Sequence, residues 1–158
     1  MKTIKINLYQ FEELGEQAKE KAVEKLYDIN VNHVWWDFVY DDAKTIGCKI
    51  EGFDLGRAMS IDFKMLENSH DHIDVANAII QHHGQMCDTN KLASEFLDEI
   101  QQVEGDELEK VYDQFIDNLA FLFWEWLRNE FEYLTSDKAI IETIESNEYW
   151  FTEDGELY

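Results

Sequence analysis

The sequence predicts an α+β fold in which a small antiparallel sheet of about three to four strands packs with five to six helices, one of them long. Short strand-like patterns lie near the start, the middle and the end of the chain. Longer segments between them carry apolar residues every three to four positions, the helical period. Because 45% of the 158 residues are hydrophobic and 14% aromatic, a packed core is expected. We therefore predict one globular domain over residues 1–158.

The first half of the chain predicts one strand, two helices and a hairpin. Ile4, Ile6 and Leu8 alternate with polar residues, as in a half-buried strand. Gly47 ends a helical pattern at the position where glycine readily adopts a left-handed conformation. Gly56 lies in the middle of the expected hairpin turn. The predicted elements are a strand at 3–8, helices at 15–28 and 34–46, and paired strands at 48–54 and 58–65.

The second half predicts helices almost throughout. Gly84 and Gly105 end two helical patterns, and a turn at Thr135 and Ser136 begins the last one. The predicted elements are helices at 73–83, 90–103, 106–134 and 136–146, and a final strand at 148–152. The residues expected in the core include Ile4, Ile6, Leu26, Trp35, Leu119, Leu122 and Trp126.

The chain is strongly acidic, and the excess is concentrated in its second half. The 35 Asp and Glu exceed the 13 Lys and Arg by 22, with net charges of -7 over residues 1–90 and -15 over residues 91–158. Nucleic-acid phosphates are contacted mainly by Lys and Arg, so this charge argues against direct nucleic-acid binding and against an anionic membrane surface. It favours a basic protein partner, with mere solubility as the alternative explanation.

Cysteine content and hydropathy predict a soluble, cytoplasmic protein. Cys48 and Cys87 are too few for a disulfide framework, which fits a reducing compartment. The opening residues MKTIKINLYQFEEL lack the apolar run of a signal peptide, and no stretch approaches the roughly 20 apolar residues of a membrane span.

The predicted long helix has a mixed acidic and aromatic face opposite its broad apolar face. At 100° per residue, Asp106, Asp113 and Asp117 share this face with Phe121 and Trp124. Aromatic anchors are typical of interface cores, so the face predicts contact with a basic partner or a homodimer through the two rings. Alternatively, the rings pack against another element of the same fold. The predicted partner-binding residues are Asp106, Asp113, Asp117, Phe121, Trp124, Glu95, Asp98 and Glu99.

Several histidines raise the question of a metal site or an active site. His70, His72, His82 and His83 lie near Asp71, Asp74 and Cys87, which are all metal-ligand types. The stretch HDHID begins like the HxHxD segment of metallo-β-lactamase-type hydrolases, but Val75 stands where the next histidine would be. A solvated histidine-rich turn is the alternative. The chain shows no nucleophile motif, phosphate loop or dinucleotide fingerprint. We therefore predict no metal, no cofactor and no catalytic residues.

Two long stretches resemble a group of small acidic proteins encoded by bacteriophages and prophages, some of them called antitoxin-like. They are INLYQFEELGEQAKEKAVEKLYDINVNHVWWDFVYDDAKTIGCKIEGFDL and EYLTSDKAIIETIESNEYWFTEDGELY, which cover the first third and the last sixth of the chain. The resemblance implies a phage protein acting inside a bacterial host. It implies no catalytic residue.

Charge and resemblance together predict a non-enzymatic inhibitor of a host nucleic-acid-handling defence system, of the anti-CRISPR or anti-restriction type. Its carboxylates would occupy the basic channel of a nuclease or effector. One alternative is an antitoxin-like protein that masks a basic toxin. A second alternative is a small metal-dependent enzyme that uses His70 or His72.

Overall fold

The computed structural model describes residues 1–58, 60–67 and 71–158, and it confirms the α+β class. Within these residues the chain forms six α-helices, one short 3₁₀ helix at Phe11–Glu13 and four strands. The helices are α1 Glu16–Lys25, α2 Asp37–Thr45, α3 His72–His82, α4 Asp88–Glu99, α5 Asp106–Leu134 and α6 Asp137–Ser146. The strands are β1 Tyr9–Gln10, β2 Cys48–Asp54, β3 Ser60–Met65 and β4 Trp150–Phe151. None of these helices combines the length and the apolar composition needed to cross a membrane.

The four described strands form two separate antiparallel pairs instead of the single small sheet predicted from the sequence. In one pair, Tyr9 of β1 lies opposite Phe151 of β4. In the other pair, β2 and β3 form the predicted hairpin, with Cys48 opposite Met65 and a register shift between Ile50 and Gly52.

The described chain divides into two compact units. Unit 1 comprises residues 1–35 and 130–158, and unit 2 comprises residues 36–129. Helix α5 contributes to both, because its residues 106–129 belong to unit 2 and its residues 130–134 to unit 1. A single domain would unfold in one cooperative step, and the single-domain organisation of this chain stays a prediction.

Unit 1 is built around a small core supplied by α1, α6 and the segments that flank them. The rings of Phe11 and Phe151 meet edge to face, with their centroids 6.3 Å apart. Ser136 begins α6 as predicted, since its Oγ accepts a hydrogen bond from the Ala139 N–H at 3.3 Å. The buried core residues of this unit are Phe11, Leu14, Ala18, Ala22, Ile140, Ile144 and Phe151.

The C-terminal segment of unit 1 lies directly against α1. Gly155 has a φ of +89°, and a Cβ at this position would be 2.3 Å from the carbonyl oxygen of Ala18. Only glycine fits here, because both the backbone conformation and the space exclude a side chain. Beside this contact, Lys21 Nζ lies 2.9 Å from a carboxylate oxygen of Glu156, and Lys25 pairs with the same carboxylate.

The prediction of a strand at residues 3–8 is wrong. Residues 1–8 have no regular secondary structure, and Ile4 and Ile6 are 75% and 56% exposed, so these two are not core residues either. An alternating pattern forms a strand only where a partner strand pairs with it. Here the partner β4 has two residues, which pair with Tyr9 and Gln10 alone.

Unit 2 contains α2, α3, α4, most of α5 and the hairpin. Helix α3 packs against α4, α2 packs against β2, and Phe123 of α5 meets Phe63 of β3. Its buried side chains include Val39, Ile46, Cys48, Ile50, Val75, Ile79, Phe96, Phe115, Leu119, Phe123 and Leu127. Of the other residues predicted for the core, Leu119 is fully buried, whereas Leu122 and Trp126 are half-buried in this unit. Leu26 and Trp35 are half-buried in unit 1.

Candidate functional site

Helix α5 displays a line of carboxylates on one side, which we call the acidic row. It consists of Asp106, Asp113 and Asp117, all exposed, with Lys110 within the line. Seven and four residues separate successive carboxylates, or about 10 Å and 6 Å along the helix axis. One DNA strand carries a phosphate about every 3.4 Å along its axis, so the row has less than half that charge density. A surface that imitates a nucleic acid therefore needs carboxylates from other elements as well.

The predicted carboxylates carry charge that other side chains do not neutralise. Among the residues that the structure describes, none of the six (Asp106, Asp113, Asp117, Glu95, Asp98 and Glu99) forms an ion pair. All six are exposed. The segment 88–134 contains thirteen acidic and three basic residues, so local lysines and arginines are too few to pair with them.

Glu95 and Glu99 belong to a second acidic surface, a groove between α4 and α5. The groove has a volume of about 280 Å³, and Gln114 and Asn118 of α5 line it together with these two glutamates. Each of these α5 residues follows an aspartate of the acidic row by one position, which places it about 100° further around the helix. The structure thus places five of the six predicted carboxylates on two sides of α5, whereas Asp98 is exposed on α4 and does not line the groove.

The prediction that Trp124 belongs to an exposed contact face is wrong. Its side chain is only 5% exposed, and its indole N–H donates a hydrogen bond to the backbone oxygen of Asp54 at 2.9 Å. Phe121 stacks against it at 6.1 Å and remains 55% exposed, while the Arg128 guanidinium lies over the indole ring. Trp124 therefore anchors α5 to the end of β2, as in the alternative in which the rings pack within the same fold. The homodimer stays a prediction.

Unit 2 also contains a cleft that the sequence did not predict. This feature, which we call the α5 cleft, has a volume of about 520 Å³. At one wall, the His83 ring joins α2 to α4, since Nε2 lies 2.8 Å from Asp42 Oδ2 and Nδ1 lies 2.5 Å from Thr89 Oγ1. Both ring nitrogens of His83 therefore have a hydrogen-bond partner, the Asp42 carboxylate at Nε2 and the Thr89 hydroxyl at Nδ1. The residues that define the cleft chemically are Asp42, His83, Asp88, Leu122, Glu125 and Trp126.

The Asp42, His83 and Thr89 series resembles the arrangement that activates a hydroxyl nucleophile. Acyl transfer also requires donors that stabilise a developing negative charge. Asp88 and Glu125 line the same cleft and would repel such a charge. The arrangement is better explained as a tie between α2 and the start of α4, because both ring nitrogens of His83 are occupied and the side chain is only 10% exposed.

The predicted histidine-rich turn is only partly within the described residues, because His70 lies outside them. The His72 ring stacks on Tyr112 with centroids 4.6 Å apart. Burial lowers the pKa of His72, while the charges of Asp113 and Asp71 act in the opposite direction. Over residues 1–58, 60–67 and 71–158, no group of three or more His, Cys, Asp or Glu side chains is arranged to hold a metal ion.

The two cysteines have opposite environments in unit 2. Cys48 is fully buried, and burial raises the pKa of its thiol to about 12. Cys87 is exposed at the α5 cleft. A thiol reagent in water therefore reaches the exposed Cys87 much more readily than the buried Cys48.

The structure thus keeps seven of the eight predicted partner-binding residues at the surface, buries Trp124, and adds the α5 cleft. The adjacent His82 and His83 are the sequence feature that could have drawn attention to this region. Nothing in the sequence indicates that His83 contacts Asp42. Comparisons with protein-family models, with curated proteins and with solved structures found no match.

Proposed function

We propose that this protein is a non-enzymatic inhibitor that binds a basic protein of a bacterial host and occupies a surface which otherwise holds nucleic acid. The observation that carries the proposal is the acidic row, whose three exposed carboxylates form no ion pair within the described residues. A host nuclease or effector of a defence system, of the CRISPR or restriction type, is the expected target. We expect the protein to act in the host cytoplasm.

A helix is a suitable support for such a surface because it fixes the carboxylates before binding. Charges held on a rigid element lose little conformational entropy when the partner arrives. They also speed the encounter with a positively charged channel, most strongly at low ionic strength. Phe121, one turn beyond Asp117 and 55% exposed, supplies an apolar contact next to the row.

Two observations support the choice of partner. The deficit of basic residues around α4 and α5 disfavours nucleic acid itself as the ligand. The resemblance of residues 6–55 and 132–158 to acidic phage and prophage proteins supports a host defence protein as the target. An antitoxin-like role, in which the same surface masks a basic toxin, differs only in the identity of the bound protein.

Capture from bacterial lysate tests the proposal. The immobilised protein is expected to retain a nucleic-acid-binding protein that mass spectrometry identifies. The double substitution Asp113→Lys and Asp117→Lys is expected to weaken binding of that protein by about tenfold or more at 0.1 M salt. The difference should shrink at 1 M salt, where the Debye length falls to about 3 Å.

The control is the double substitution Glu20→Lys and Glu24→Lys. These glutamates are also exposed, also four residues apart on a helix, and change the net charge equally, but they lie on α1 in unit 1. Labelled nucleic acid should be displaced from the captured protein by the wild-type chain. Simultaneous binding of both, or equal losses in the two double variants, would refute occupation of the nucleic-acid surface by the acidic row. Capture of a toxin that binds no nucleic acid would favour the antitoxin-like role.

A further inference from the structure

The α5 cleft is lined by three carboxylates, of which Asp42 contacts the His83 ring. Asp42, Asp88 and Glu125 all contribute to its wall, and the described residues that line it include no lysine or arginine. Glu125 is half-buried on α5 and forms no ion pair among the described residues. Partial burial makes such a carboxylate more favourable for a bound cation than a fully solvated one.

Aromatic and aliphatic side chains form the rest of the wall. Trp126 is half-buried, and its ring is held by Phe38 at 5.6 Å and by Phe123 at 5.9 Å. Leu122 lies one turn before it and also lines the cleft. The indole is therefore fixed in place before any ligand binds, so its π-face can attract a cation without first being ordered.

Size and position make the cleft distinct from the acidic row. Its volume of about 520 Å³ lies within the range of about 300 to 1,000 Å³ that is usual for pockets holding a small group. Leu122 and Glu125 lie five and eight residues after Asp117, which places them about 140° and 80° around the helix from that aspartate. A partner can therefore engage the cleft through contacts that the acidic row does not provide.

We propose that the α5 cleft binds the side chain of an arginine presented by a protein partner. A guanidinium matches the cleft better than an ammonium because it is planar, stacks on an indole, and offers several N–H donors to carboxylates. Its aliphatic stem can lie along Leu122 and Trp126 while its head reaches Glu125 and Asp42. The proposal rests on the proposed function only for the source of the arginine, since a basic partner supplies one.

Titration with a blocked arginine, N-acetyl-arginine methylamide, tests the cleft without a partner. In proton–nitrogen NMR spectra, saturable shifts are expected at Glu125, Trp126 and the residues around His83. The matching citrulline compound keeps the shape and loses the charge, so its dissociation constant should be about tenfold higher. The substitution Glu125→Gln should weaken arginine binding by a similar factor.

Glu107→Gln is the matched control, since Glu107 is exposed on the same helix and does not line the cleft. It should leave arginine binding unchanged. If arginine binds the cleft but the lysate yields no partner, the cleft proposal stands and the proposed function is refuted. Shifts spread over all acidic surfaces, equal binding of citrulline, or unchanged affinity in Glu125→Gln would overturn the cleft proposal.

Discussion

Gly155 shows how one residue determines where the end of the chain lies. Its φ of +89° belongs to the region that side-chain-bearing residues rarely adopt, and the Ala18 carbonyl oxygen occupies the space of a Cβ. The sequence EDGE indicates a turn, but only the structure shows that the turn contacts a helix.

Replacing Gly155 by alanine is expected to destabilise the protein by about 2 to 4 kcal/mol, because backbone strain and overpacking both oppose the native contact. Urea unfolding followed by circular dichroism measures the change. Gly84→Ala is the control: no atom lies within 4 Å of its Cβ position and its φ is ordinary, so a change of about 0.5 kcal/mol or less is expected. If both variants are as stable as the wild type, the C-terminal turn does not contact α1 as described.

Trp124 and His83 show which contacts of a site cannot be predicted from the sequence. The helical period correctly placed Asp113 and Asp117 on an exposed face, but it placed Trp124 on the same face, where that side chain is buried. The partner of Trp124 is 70 residues away at Asp54, and that of His83 is 41 residues away at Asp42. Periodicity gives the direction of a side chain along a helix but contains no information about the element that faces it.

At the scale of elements, α1 and the C-terminal segment are joined by charge as well as by packing. The side chain of Glu156 accepts hydrogen bonds from Lys25 and Lys21, which lower its pKa in that order of importance. The same contact with Glu156 is the main cause of the raised pKa of Lys21. Glu156 therefore stabilises unit 1 itself, whereas the carboxylates of the acidic row form no ion pair with any residue that the structure describes.

The contribution of Glu156 to stability should depend on pH with a defined sign. Because its pKa is lower in the folded state than its ordinary value of 4.5, the contribution is present above that value and is lost as the pH falls through the folded pKa. Thermal unfolding should show that Glu156→Gln lowers Tm at pH 7 and has no effect in acid well below pH 4.5.

Glu145→Gln removes the same charge from an exposed position of unit 1 where no ion pair is present among the described residues. It should leave Tm nearly unchanged at both pH values. Equal effects of the two substitutions at pH 7 would show that the ion pairs of Glu156 contribute nothing beyond general charge.

Element boundaries were predicted well at α5 and α6, whereas α4 ends at Glu99 instead of at residue 103 before Gly105. Asp106 follows Gly105 at its φ of +63°, and Ser136 caps α6, so the bounds of α5 and the start of α6 agree with the prediction. The hairpin also agrees, because its two strands are close in sequence. The pairing of β1 with β4 joins residues about 140 positions apart, and no local pattern indicates that the pairing stops at Tyr9.

At the scale of the whole molecule, the two compact units share one uninterrupted helix. Residues 106–129 and 130–134 of α5 form a continuous hydrogen-bonded element, with no described break at the boundary. Because helix formation is cooperative, we expect a shared helix to couple the stabilities of the two units. The sequence, which contains no proline and no linker, likewise predicted a single domain.

We therefore expect one cooperative unfolding transition. Calorimetry should give equal calorimetric and van't Hoff enthalpies, and Gly155→Ala in unit 1 should move the entire transition to lower temperature. Two transitions, of which the substitution moves only one, would show that the units are independent domains. Limited proteolysis gives a second measure, because fragments that melt cooperatively on their own would support the same conclusion.

The unequal cysteines have a practical consequence for any study of self-association. Air oxidation can form a disulfide between two chains only through Cys87. The thiol of Cys48 is buried in unit 2, and burial raises its pKa to about 12. A covalent dimer that disappears on adding a reducing agent therefore reports the exposure of this one sulfur and says nothing about a natural interface. The same sulfur offers a single attachment point for a fluorophore at the edge of the α5 cleft, on the unaltered sequence.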